Sequence, residues 1–345
     1  MRTGLSGIGT WAGALAACAA MGLSGCENKG GSKAPLARVD GSETRSSGTA
    51  DPATAGYIAS AEQAIRDGDL DKALQEFARA IEVNPNSTTA HLGMADIYRM
   101  KGDYSRAEAR YARASALEPR NFSAQYFHGL MLHLLDRLPE AIQAYIRALT
   151  LQPNDFKANL NLATAYYQLD ENSQALPYAR RAVELNPQDG PARFNLGAIY
   201  AAVNRHGDAV REYQQAAEFM NLTPPLLLNL ADSLAKLERF EEMANALTQA
   251  IKTEPSSIAY ERLGFAKFKM SQFADAKANF NAAVKMDGDY YPALNGLGVC
   301  NLNDWIRSGR SDSKTKEAGL NALRRSLQIE RDQPQILEIL TRYGR

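Results

Sequence analysis

Cysteine, tryptophan and an excess of either charge are what this sequence of 345 residues has least of, with three Cys and two Trp. Lys and Arg number 39, and so do Asp and Glu, so no bulk field favours nucleic acid or an anionic membrane surface. Past the N-terminus no stretch approaches the ~18 consecutive apolar residues of a membrane-spanning helix. Cys18 lies in an apolar leader and leaves with it, Cys26 stands at the leader's end, and Cys300 is then the only other thiol. Such a chain has no intramolecular disulfide framework. Gly298, Val299 and Leu302 read as a packed helix face, so the Cys300 thiol is expected to be buried rather than reactive.

Catalytic and metal-binding constellations are also missing. His128 and His133 are five residues apart and point to different sides of a helix, unlike an i, i+4 zinc pair; His91 and His206 stand alone. No Cys pair offers a zinc site, and Gly30-Gly31 belongs to a segment with no phosphate loop. There is no Gly-x-Ser-x-Gly elbow, and the acidic residues are scattered over helix surfaces. These absences argue against an enzyme and against a cofactor, a metal or a small-molecule substrate.

What is present begins with an address. Arg2 is followed by an uncharged stretch containing Trp11, Leu15 and Met21, which reads as a signal peptide over residues 1–25. It ends Leu23-Ser24-Gly25-Cys26, and this L-S-G-C resembles the lipobox of bacterial lipoproteins. The resemblance implies that Cys26 becomes the acylated first residue and anchors the protein to a membrane. The alternative is an uncleaved anchor helix. Glu27, where an Asp would imply inner-membrane retention, leans the resemblance toward the outer membrane facing the periplasm. Residues 26–53 hold the lipidated Cys and a Gly/Ser-rich, charged tether.

From there the sequence repeats itself. Pro85, Pro119, Pro153 and Pro187 fall 34 residues apart, Asn221 fills the next place and Pro255 the one after. Five residues ahead of each stands an alanine, from Ala80 to Ala250, and eight ahead a larger residue such as Phe77, Tyr111, Tyr145 or Tyr213, with Ala179 the exception. Pairs such as Met94-Ala95, Leu162-Ala163 and Leu196-Gly197 open the units. This pattern resembles the tetratricopeptide repeat. The resemblance implies an all-α solenoid, a right-handed superhelix of about eight helix-turn-helix units over 54–332, with a capping helix in 333–345. Small residues let paired helices approach, and Pro ends the second helix. One unit cannot bury its apolar face alone, so units stack. In the eighth, Trp305 and Ile306 extend the first helix and an insertion near 308–315 precedes the second. Ile336, Leu337, Ile339 and Leu340 form the apolar side of the cap.

In this family the first helices line a concave groove. Asn161, Asn195 and Asn229 recur there one period apart. An amide matches a peptide group as donor and as acceptor, so the row either grips an extended peptide or meets water and its own neighbours. Family members that transfer sugars to proteins use a similar ladder. Tyr126, Phe127, Leu130, Leu134, Tyr167 and Phe194 add an apolar strip, exposed for partner binding unless it packs between helices. A carboxylate clamp around Lys157 and Arg262 is poorly supported, because the two stand three units apart. The expected function is a lipid-anchored adaptor in the cell envelope that holds a protein or peptide partner in its groove. The alternatives are an assembly lipoprotein of a type IV pilus or secretion apparatus, or a recruiter of a periplasmic peptidase or cell-wall enzyme.

Overall fold

The period of 34 appears in space as pairs of antiparallel helices. The computed structural model describes residues 51–344, so the leader, Cys26 and the tether before residue 51 lie outside the described residues. The first two pairs are α1 (Pro52–Arg66) with α2 (Leu70–Val83) and α3 (Thr88–Met100) with α4 (Tyr104–Leu117). Next come α5 (Phe122–Leu134) with α6 (Leu138–Leu151), and α7 (Phe156–Gln168) with α8 (Asn172–Leu185). The fifth and sixth pairs are α9 (Gly190–Ala202) with α10 (His206–Phe219) and α11 (Pro224–Lys236) with α12 (Phe240–Thr253). The last two are α13 (Ser257–Lys269) with α14 (Phe273–Met286) and α15 (Tyr291–Arg307) with α16 (Ser313–Ile329), followed by α17 (Pro334–Tyr343). Among the described residues there is no strand, and no helix is long and apolar enough to cross a membrane.

Local chemistry starts and stops each helix. Ser87, Asn121, Asp155 and Asp189 cap α3, α5, α7 and α9, each side-chain oxygen accepting from the backbone N–H three residues on. Inside the pairs the chain reverses through one left-handed residue: Gly68, Gly102, Asp136, Asp170, Asn204 and Glu238 have φ between 57° and 82°. Gly, Asp and Asn are the residues that tolerate this region best, which explains the composition of the turn.

Packing depends on the small residues. Ala73, Ala107, Ala141, Ala175 and Ala209 are wholly buried, as are Ala80, Ala114, Ala148, Ala182 and Ala216. A Cβ on Gly197 would stand 2.7 Å from the Tyr213 ring, and one on Gly129 would stand 2.9 Å from that of Tyr145. Glycine at these two positions lets an aromatic from the second helix pass close under the first. First helices of successive pairs touch one another, α5 with α7, α7 with α9 and α9 with α11, whereas no two second helices make a comparable contact. The first helices therefore lie on the inner side of the curve.

The eighth pair departs from the others. Its two helices are each 17 residues long, and the chain between them turns through Gly309 and Arg310, both with positive φ. Trp305, Leu320, Leu323 and Ile336 form the final core, and Tyr343 of α17 meets Trp305 edge-on at 6.1 Å. The covering face of α17 is Ile336, Ile339, Leu340 and Tyr343, at i, i+3, i+4 and i+7. Leu337 does not belong to it: it is 50% exposed, because one residue along a helix turns the side chain by about 100°.

Candidate functional site

The three asparagines stand on the first helices α7, α9 and α11, and each is half-buried. Their surroundings differ. Asn161 donates from Nδ2 to the Tyr126 hydroxyl of the preceding pair at 3.1 Å. Asn195 donates back to Thr164 Oγ1 at 3.4 Å, a longer contact. No hydrogen bond is found for Asn229 among the described residues. The row thus begins as a tie between neighbouring pairs and ends as a free amide. Asn161 is occupied holding the array together, and Asn229 keeps both its donor and its acceptor for something else.

The apolar strip divides in the same way. Tyr126 is buried, 8% exposed, which corrects its expected place on an open face. It stacks on Phe122 at 5.8 Å, meets Phe127 edge-on at 5.0 Å, and gives its hydroxyl to the Asn161 tie. Phe127 stacks on Tyr111 at 5.5 Å with the Arg99 guanidinium over its ring at 5.0 Å. Phe127, Leu130, Tyr167 and Phe194 are half-buried, each with one side against the core, and Leu134 is half exposed. Phe194 lies 5.8 Å from Tyr213, tilted against it.

Two clusters of paired charges flank this face. In the second pair the Tyr111 hydroxyl donates to Asp96 at 2.6 Å and accepts from Arg99 Nε at 3.1 Å. In the sixth and seventh pairs Asp232 is 3.0 Å from Arg262, whose side chain is 13% exposed. Burial pushes the Asp232 carboxyl up to about 6, opposed by Arg262 and Lys236. Burial also pushes Glu261 up to about 7, with Asp232 adding to the effect and Arg262 opposing it. Between the flanks, the first helices of the third to fifth pairs present amides, aromatics and alanines, with exposed Lys157 at the start of α7. Arg262 is engaged by Asp232, and Lys157 is exposed on α7, so the two do not form a clamp.

Four family models described as tetratricopeptide or TPR repeat match residues 64–131, 129–170, 160–221 with 262–304, and 224–257. The chain belongs to the tetratricopeptide-repeat family. It is a protein–protein interaction scaffold. No curated protein matches the sequence. Among solved structures the chain is similar to YrrB, titled a TPR protein with an unusual peptide-binding site, at 19% identity, a TM-score of 0.49, and coverage of 58% of this chain and 99% of that one. It is similar to Pseudomonas aeruginosa pilF at 22% identity and a TM-score of 0.49, over 61% of this chain and 96% of that one. It is also similar to MamA at 22% identity and a TM-score of 0.46, over 48% of this chain and 91% of that one.

The other chemically interesting residues of the repeat array have structural surroundings. His128 faces Glu108 of α4 at 3.1 Å, and His133 faces Gln168 of α7 at 2.9 Å, so the two imidazoles serve different contacts. Burial lowers the pKa of both. No group of His, Cys, Asp and Glu able to hold a metal ion occurs among the described residues. Cys300 is fully buried, and burial pushes its thiol up to about 12. Sequence reading noted Tyr111, Tyr145 and Arg262 but passed over their contacts with Asp96, Arg99, His133 and Asp232, none of which lies one 34-residue period away.

Proposed function

We propose that the chain is a lipid-anchored adaptor of the cell envelope whose first-helix face holds an extended segment of a partner protein. The observation that carries the groove is the half-buried Asn229 amide, unpaired among the described residues and on the same row as Asn195. Polar groups in partly desolvated positions find hydrogen-bond partners in native structures, and an extended main chain offers both senses at once. The aromatic edges of Phe127, Tyr167 and Phe194 supply the apolar contact that gives such an interface its affinity. For the anchor, the support is the Leu23-Ser24-Gly25-Cys26 string behind an uncharged leader. Diacylglycerol on the Cys26 sulfur, with a further acyl chain, binds a bilayer at ~0.8 kcal/mol per buried methylene. Glu27 supports the outer membrane as the destination.

Asn229→Ala tests the groove. Recovery of native partners from the producing cell is expected to fall, with the thermal melt unchanged because Asn229 ties nothing together; undiminished recovery refutes the role. Cys26→Ser tests the anchor: the chain is expected to leave the membrane fraction, and retention there refutes lipidation.

A further inference from the structure

The insertion in the eighth pair is explained neither by the repeat nor by the groove. Between Trp305 and Lys316 it places Arg307, Arg310, Lys314 and Lys316 against a single acid, Asp312. The cations of earlier turns are answered locally: Arg137, Arg205 and Arg239 each bind the carboxylate three residues on. Three residues after Arg310 stands Ser313. Arg307, Arg310 and Lys314 form no ion pair among the described residues, and neither does Arg342 of α17. The chain as a whole is balanced, so this excess is local.

Aromatic rings gather these side chains at one corner of the array. Arg310 and Lys316 both lie over the Trp305 ring, 5.7 and 5.2 Å from its centroid. Arg342 lies 5.9 Å over Tyr343, the ring that meets Trp305 edge-on, and Arg307 lies 5.0 Å over Phe273 of α14. The acids here are partly spent. Asp304 is 3.0 Å from Lys277, and Glu317 is 2.8 Å from Arg324. Asp312 caps α16 by accepting from the Thr315 N–H and hydroxyl, which leaves exposed Asp275 of α14 and exposed Glu338 of α17. Arg307, Arg310, Lys314, Lys316 and Arg342 outnumber those three carboxylates.

We infer that this corner is a contact site for the phosphate headgroups of an anionic lipid surface, separate from the groove and from any anchor at Cys26. Residues 307–314 are all exposed, so the cations stand on a protrusion and do not line a cleft. A protruding set of charges meets many anions at once on an extended charged surface, and each Lys or Arg near such a surface adds to the attraction. Nucleic acid fits less well, because Trp305 is 9% exposed and its ring is covered by cations, so no base can stack on it. An acidic protein segment would be gripped better by cations facing one another across a groove.

The test uses the mature chain begun at residue 26 with Cys26→Ser, which keeps the whole described array and has neither leader nor acyl chain. It is sedimented with vesicles of phosphatidylcholine, or of equal parts phosphatidylcholine and phosphatidylglycerol. The chain is expected to follow the anionic vesicles and not the neutral ones, and to be released as sodium chloride is raised. Arg310→Gln with Lys314→Gln is expected to weaken that binding by at least about tenfold at an unchanged melting temperature. Arg180→Gln with Lys252→Gln, at exposed positions on α8 and α12, is expected to leave it unchanged. Binding to neither kind of vesicle, to both alike, or with an equal loss in the two double variants overturns the inference. So does release by inorganic phosphate beyond that of sodium chloride at equal ionic strength, which would mean a discrete anion site. Capture on immobilised polyglutamate without binding to vesicles overturns it in favour of an acidic protein segment.

Discussion

The Tyr111 hydroxyl of α4 donates to Asp96 of α3 at 2.6 Å and ties the two helices of the second pair together across their shared core. Asp96 is also held by Arg99 at 3.0 Å, and burial together with the neighbouring Asp96 carboxylate raises the phenol pKa. The contact is therefore a charge-assisted bond between a buried phenol and a carboxylate that is 31% exposed.

Tyr111→Phe keeps the ring and removes that bond together with the one the hydroxyl accepts from Arg99 Nε. Asp96 still has Arg99, so no carboxylate is stranded, and a loss of about 1–2 kcal/mol is expected. Urea denaturation of the two proteins measures it. Equal stabilities would mean that the triad contributes nothing to the fold.

Burial raises the Glu261 pKa to about 7, so the folded chain holds this proton more tightly than the unfolded one. The sign follows from linkage: stability associated with the protonated acid is present below the ordinary value of 4.5 and is lost as pH rises through about 7. Glu261→Gln removes the titration. Its melting temperature relative to the parent is expected to climb between pH 4.5 and 7 and then level off. A difference that is flat with pH contradicts the assignment.

Gly197 is required by the ring beneath it. A Cβ there would stand 2.7 Å from Tyr213, and Gly197→Ala is expected to cost about 1–3 kcal/mol through overpacking. Gly207, on the next helix, has nothing within 4 Å, so Gly207→Ala should stay within about 0.5 kcal/mol of the parent. Thermal melts that rank the two substitutions the other way refute this account of the pair geometry.

The fold was open to reading because its cause is periodic. Alanines and prolines at fixed offsets dictate close helix pairs that end on schedule, and the same sequence marks where the eighth pair departs. The face was less legible because its residues compete between core and groove. Tyr126 and Phe127 are adjacent on one helix, yet Tyr126 is buried and capped by Asn161 while Phe127 keeps an edge outward. Asn161 and Asn229 are the same residue at the same repeat position, and only the Tyr126 hydroxyl decides that one is structural. Leu337 looked like cap material from composition, and its helix angle places it outside.

The central claim is that a partner segment lies along the first helices. A photo-crosslinking amino acid placed at Phe194 in the producing cell, with a second placed at exposed Arg180 on α8, tests it most directly. The groove position is expected to give a discrete protein adduct that the α8 position does not give, and Asn229→Ala in the same chain is expected to weaken it. An adduct from Arg180 alone, or equal adducts from both positions, would contradict the account.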